Sequence, residues 1–249
     1  MSAQPEVKIY SDRRALAQAA AAEFARLAQE AVRRRGRFLV CLSGGSTPLD
    51  TYRLLAELPY AAELPWEGMV FLWGDERMVP PDDPESNYGQ AQGALLRHVP
   101  APKEQIGRMR GEWPLGLAIA DYAAQLRRYA DPGQAWPCFD LVLLGLGMDG
   151  HIASLFPHQH AALQAAQPVV AVQSGYAGRP AQRLTLTLPV FNAARQVILL
   201  VSGADKAKAL AASLDPTSNP AAWPARLIGP PDGQVTWLVD APAAVTSLR

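Results

Sequence analysis

A carboxylate and an imidazole stand two residues apart, Asp149 and His151, in the glycine-rich run Gly145-Leu146-Gly147-Met148-Asp149-Gly150-His151. Histidine as a residue type titrates near neutral pH, so it can take a proton from water while being largely neutral beforehand. A neighbouring carboxylate can hold one tautomer and stabilise the imidazolium that forms. Hydrolysis by an activated water is the chemistry this pair suits. Ser43-Gly44-Gly45-Ser46-Thr47-Pro48 is a second candidate. A Gly-Gly turn flanked by hydroxyls at a strand-to-helix junction leaves backbone N–H groups aimed at one point, where the helix dipole also favours an anion, and a phosphate fits there. The turn lacks the Gly-Lys-Ser/Thr of a nucleotide-binding loop and the spacing of a dinucleotide fingerprint. Asp75, Glu76 and Arg77 follow a short apolar run, as a solvated loop or as a further contribution to a site. Lys206 falls at the start of a helix, where a cation opposes the dipole unless an anion lies nearby.

The elements that must position these groups follow from periodicity. Asp140 to Leu144 is too short and too apolar for anything but a strand buried on both faces, and it feeds the Asp149/His151 turn. Arg37–Leu42, Met69–Trp73, Val169–Val172, Gln196–Val201 and Val235–Val239 read as further strands, and Arg183–Leu188 alternates strictly, with leucines on one face. Between them lie helical stretches. Ser11 or Asp12 caps a long one that ends at Gly36; others run from Ser46 to about Glu57, Tyr88 to Arg97, Leu115 to Tyr129 and Ala204 to Leu214, with a short one opened by Asp240 or Pro242. Alternating strands and helices predict an α/β fold, a doubly wound, mainly parallel sheet with helices on both faces, as a single domain over residues 1–249. In such sheets ligands bind outside the carboxyl ends of the strands, where the glycine turns fall.

Composition narrows the partners. Lysine plus arginine equals aspartate plus glutamate at 23 each, so no global field favours nucleic acid or an anionic membrane, and an anionic ligand must be held by local charge. The two cysteines, Cys41 and Cys138, suggest neither a disulfide framework nor a metal knuckle. His158-Gln159-His160 lacks a third ligand nearby, so no metal site is expected. Without a signal-like or membrane-spanning stretch, a soluble cytoplasmic protein that is a monomer or weak homo-oligomer is expected.

SGGSTP at 43–48, GDER at 74–77 with SNY at 86–88, GLGMDGHIASLFP at 145–157, RLTLTLPVFNAAR at 183–195 and Ser202-Gly203 before Lys206-Ala207 resemble, in this order, the pattern of the 6-phosphogluconolactonase family. The resemblance covers nearly the whole chain. It departs at Met148, where proline is common, at Ile152, where threonine is usual, and at Gly107, in a segment that often carries histidine. It implies hydrolysis of 6-phospho-D-glucono-1,5-lactone without metal or organic cofactor. His151 becomes the base and Asp149 its partner. Arg183, Lys206 and the N–H groups of residues 43–47 become candidates for the phosphate, and Arg77 or the turn around Gly147 for the developing oxyanion, with Asp75 a further contact.

Two other readings share part of the pattern. Amino-sugar-phosphate deaminases resemble this chain at the Asp-Gly-His turn, but typically carry a glutamate shortly after the histidine, where Ser154-Leu155-Phe156-Pro157 has no acid. A non-catalytic sugar-phosphate sensor joined to a DNA-binding module is disfavoured by the zero net charge and by only ten residues before the first helix.

Overall fold

The computed structural model describes residues 5–176 and 178–244. Along the chain run β1 (Glu6–Tyr10), α1 (Arg13–Arg35), β2 (Phe38–Leu42), α2 (Ser46–Leu55), α3 (Tyr60–Glu63), β3 (Met69–Trp73), β4 (Asp75–Arg77), α4 (Asn87–Ala91), β5 (Ile106–Gly107) and α5 (Leu115–Tyr129). There follow β6 (Leu141–Gly145), α6 (His160–Leu163), β7 (Val169–Gln173), β8 (Gln182–Leu186), α7 (Leu188–Phe191), β9 (Gln196–Val201), α8 (Ala207–Leu214), β10 (Gln234–Asp240) and α9 (Ala241–Ala244).

Seven strands form one sheet in the order β1-β10-β9-β6-β2-β3-β5, every neighbouring pair parallel. Because side chains alternate across a strand, each central strand feeds two cores. Phe38, Val40 and Leu42 pack with Leu16, Ala20 and Phe24 of α1 on one face, while Leu39 and Cys41 join Tyr122 and Leu126 of α5 on the other. This is the expected doubly wound α/β sheet. Asp12 caps α1 by accepting from the Ala15 N–H, and Gly36 ends it in the left-handed region at φ 72°. From β2 the chain moves outward to β3 and β5; from β6 it moves the other way to β9 and β10. The adjacent carboxyl ends of β2 and β6 are therefore the topological switch point, which brings the Gly44-Gly45 turn beside the Asp149/His151 turn. Among the described residues, no helix is long and apolar enough to cross a membrane.

The structure corrects several boundaries. Strand β1 goes unread in the sequence because its edge position leaves Ile9 half exposed and mixes charged with apolar residues. Asp75–Arg77 is a buried strand rather than a solvated loop, and it belongs to a second, antiparallel sheet in the order β4-β8-β7. The 183–188 strand shifts to Gln182–Leu186, since Leu188 and Pro189 open α7. The helix expected from Tyr88 to Arg97 is α4 followed by a π turn at Gln92–Leu96. Lys206 ends a 3₁₀ turn and stands at the N-cap of α8 rather than inside its first turn.

Two buried tyrosines close the backbone where the ladders end. The Tyr52 hydroxyl accepts from Ser43 N–H at 3.1 Å and donates to Ser43 C=O at 2.9 Å, and Tyr122 does the same for Trp73 at 2.7 Å each way. Each pair pins a chain just before it enters the switch-point region. Replacing Tyr52 with phenylalanine strands a buried donor and acceptor, so a loss of about 1–3 kcal/mol is expected in denaturant unfolding, as a lower midpoint at unchanged slope. A midpoint equal to wild type would show that those groups find other partners.

Candidate active site

Loops from the carboxyl ends of β2, β6 and β9 meet the small sheet around a cavity of about 340 Å³. Ser43, Gly44, Gly45, Ser46, Thr47, Asp75, Arg77, Gly147, His151, Arg183 and Lys206 all line it. Asp149, of the residues expected from sequence, lies behind the lining and reaches it through His151.

The turn after β6 is closed by Gly147 N–H to His151 C=O at 2.8 Å and Gly150 N–H to Gly147 C=O at 3.0 Å. Inside it, one Asp149 oxygen, Oδ1, lies 2.6 Å from His151 Nδ1 and accepts the His151 N–H at 3.2 Å. A carboxylate only accepts, so Nδ1 is assigned the ring hydrogen and Nε2 is left free to take a proton. Gly147 is required by this closeness: a Cβ there would lie 2.0 Å from His151 Nδ1. Gly150 is required by its φ of 81° and by Trp223, whose ring would stand 2.6 Å from a Cβ. Burial pushes the Asp149 pKa up, but the bond and charge of His151, with the Tyr176 hydroxyl, outweigh it and hold the carboxyl well below the usual range.

The acid pair at 75 and 76 builds the wall. Asp75 Oδ2 accepts from Ser154 Oγ at 2.6 Å and Oδ1 from Asn87 Nδ2 at 3.1 Å, so the carboxylate read as a substrate contact already has a protein partner on each oxygen. Glu76 accepts from the N–H groups of Asn87 at 2.7 Å and Tyr88 at 2.8 Å at the start of α4, from Arg77 N–H at 2.8 Å and from Ser86 Oγ at 3.1 Å. This explains why the GDER and SNY segments go together: one caps the other. Burial pushes the Glu76 pKa up to about 7 against those N–H bonds, and four donors leave it no lone pair suited to catalysis.

Positive charge converges on the same cavity. The β4–β8 register sets Arg77 directly opposite Arg183, an unfavourable pairing unless an anion sits between or beside them. Arg77 bonds the carbonyl of Glu85 and stands 3.6 Å from its carboxylate. Arg183 is 4% exposed, and among the described residues its guanidinium has neither an ion pair nor a hydrogen bond, lying instead 5.7 Å over the Phe156 ring. Burial and the charge of Arg77 both lower its pKa. Arg179 and Lys206 complete the rim. Lining the same cavity, the N–H groups of Gly44 to Thr47 are unpaired among the described residues, whereas the Ser43 N–H is taken by Tyr52; the available run is 44–47, one residue shorter than expected. The Asn87 Oδ1 and Ser43 Oγ atoms are also buried without partners. Desolvated donors, acceptors and an unpaired guanidinium facing one space describe a site that is costly when empty and offset by a polar anion.

Sequence reasoning did not find Tyr176, Arg179 or Ser154 as site residues. Tyr176 and Arg179 lie in the glycine-punctuated connection between β7 and β8, where an aromatic and a cation among turn residues were the only signal. Among the described residues, no group of three or more His, Cys, Asp or Glu side chains is placed to hold a metal ion.

Comparison with known proteins bears on this geometry. The sequence profile of the family described as glucosamine-6-phosphate isomerases/6-phosphogluconolactonase matches residues 11–237. The 6-phosphogluconolactonase of Mycobacterium tuberculosis is 40% identical over 247 residues, covering 96% of each chain. The solved 6-phosphogluconolactonase of Trypanosoma brucei superposes with a TM-score of 0.84 at 28% identity, over 96% of this chain and 97% of that one. A monomeric glucosamine-6-phosphate deaminase shares the fold, with a TM-score of 0.82 at 24% identity over 98% of this chain and 100% of that one.

Proposed function

The chain belongs to the family of glucosamine-6-phosphate isomerases and 6-phosphogluconolactonases, and on that premise we propose that it hydrolyses 6-phospho-D-glucono-1,5-lactone to 6-phosphogluconate with His151 as general base. The observation that carries this reading is the His151–Asp149 pair, bonded at 2.6 Å with Nε2 left free, beside a cavity holding an unpaired, buried Arg183.

In this mechanism a water lies between His151 Nε2 and the lactone carbonyl carbon. His151 takes one proton as the water oxygen bonds to that carbon, and Asp149 stabilises the imidazolium. Negative charge gathers on the former carbonyl oxygen, where the N–H groups of the turn around Gly147 or the Arg77 guanidinium meet it. Collapse then breaks the bond from that carbon to the ring oxygen, which leaves as a hydroxyl with the proton from His151. Arg183, Lys206 and the N–H groups of residues 44–47 receive the phosphate. The proton transfers need no metal or organic cofactor. The enzyme works as a single domain, as a monomer or weak homo-oligomer in the cytoplasm, and with net charge zero it has no call on nucleic acid.

The turn after His151 supports lactone opening over amino-sugar deamination. Ser154 is bonded to Asp75, Leu155 and Phe156 are buried, and the stretch through Pro157 offers no carboxylate to help open a sugar ring. The test follows lactone opening with freshly made 6-phosphogluconolactone, subtracting the spontaneous rate, alongside ammonia release from glucosamine-6-phosphate. Acceleration of the first reaction alone is expected; ammonia release alone hands the site to deamination, and silence in both removes the enzymatic reading.

A further inference from the structure

The aspartate that orients His151 is itself held. Its inner oxygen, Oδ1, takes the ring and backbone N–H groups of His151. Its outer oxygen, Oδ2, accepts a hydrogen bond from the Tyr176 hydroxyl at 2.7 Å, and the same phenol oxygen stands 3.1 Å from His151 Nδ1. Both carboxylate oxygens are thus committed, and the carboxylate cannot turn about its own bond without losing one of them. This matters because the Asp149 side chain is 38% exposed. Without the phenol its outer oxygen would face water, and a carboxylate on a two-residue reach from the imidazole could rotate toward solvent.

The Tyr176 ring adds a second constraint. It packs at 5.6 Å from the His151 ring centroid and 5.8 Å from Phe156, which in turn lies 4.9 Å from His151. The imidazole is one corner of a three-ring cluster whose other two members come from different segments. The base of the Tyr176 segment is fixed by the small sheet: Gln173 pairs with Gln182, Ser174 N–H donates to Ala181 C=O at 2.7 Å, and Tyr176 N–H to Ser174 Oγ at 3.3 Å. Arg183 follows on the same hairpin, so one supersecondary unit brings both the unpaired guanidinium and the phenol to the cavity.

We propose that Tyr176 is a positioning residue for the base: its hydroxyl locks the Asp149 carboxylate, and through it the Nδ1–H tautomer and orientation of His151. Burial and the adjacent Asp149 charge push the phenol pKa up, which keeps Tyr176 a donor throughout the neutral range. The proposal rests on His151 acting as the base.

Tyr176→Phe keeps the ring and removes the hydroxyl. The expected result is a fall in kcat of about 10-fold with KM within about 2-fold of wild type, the pattern of a lost contribution to the chemical step rather than to binding. In parallel, the ¹⁵N shifts of the His151 ring in the resting protein are expected to move from a single Nδ1–H tautomer to a mixture. An unchanged tautomer overturns the proposal whatever happens to kcat, and a raised KM at full kcat overturns it by placing the hydroxyl on the substrate. The nitrogen shifts need no turnover, so they separate this proposal from the base assignment: if His151→Ala kept its activity, the base would fall while the shifts still reported whether Tyr176 holds the pair.

Discussion

Replacing His151 with alanine is expected to lower kcat for lactone opening by about 10²- to 10⁴-fold, close to the spontaneous rate, because a positioned general base contributes on that scale. The fold should survive. His151 is a partly exposed turn residue whose backbone carbonyl, rather than its ring, closes the turn onto Gly147. The mutant therefore isolates the chemistry, and an activity within threefold of wild type would remove His151 from its role. The pH dependence sharpens the assignment. A base must be neutral to accept a proton, so kcat/KM falls as acid charges the imidazole. Asp149 does not share that limb, since its carboxyl is held well below the usual range. Its own linkage has the sign of a depressed acid: the unfolded chain binds more protons below its ordinary value of 3.8. The stabilisation is therefore present above that pH and lost as pH falls further. Activity and stability should thus fail at different pH values, read by kinetics and by unfolding on the same protein.

For Arg183→Met the expected result is opposite effects on binding and on stability. A charge-assisted hydrogen bond to a phosphate is worth about 1.5–3 kcal/mol, so KM for the phosphorylated lactone should rise roughly 10- to 150-fold. Gluconolactone without the phosphate should be opened at a nearly unchanged rate. Meanwhile the free protein loses a buried guanidinium that has no counter-ion or hydrogen-bond partner among the described residues, only the Phe156 ring at 5.7 Å, and that faces Arg77 across the β4–β8 ladder. Replacing such a charge by an apolar side chain of similar length should stabilise the fold by about 1–3 kcal/mol. Inorganic phosphate should raise the Tm of the wild type and leave that of the mutant nearly unmoved. Equal loss on both lactones would place Arg183 at the reacting carbon, and a lower Tm in the mutant would mean that the guanidinium holds the fold together.

Much of this was legible in the chain itself. Strands buried on both faces leave apolar runs too short for helices, and Leu141–Gly145 and Gln196–Val201 were readable for that reason. The His151–Asp149 pair was also readable, because residues two apart on a glycine turn have few ways to avoid meeting. Local chemistry of this kind is written in adjacent letters. What adjacency cannot encode is which distant segments share a wall. Asp75, Glu76 and Arg77 carry charge into a buried strand, against every local expectation, because Ser154, Asn87 and the open end of α4 supply partners from residues 10 to 79 positions away. Tyr176 sits 27 residues from Asp149, in a connection whose composition reads as an ordinary loop. The sequence by itself determined the α/β layering, the glycine turns and the closeness of His151 to Asp149. Only the tertiary structure decided that Arg183 faces Arg77 without a counter-ion, and that a tyrosine closes on the acid. Those facts depend on strand register and hairpin placement, which are set by packing over the whole core.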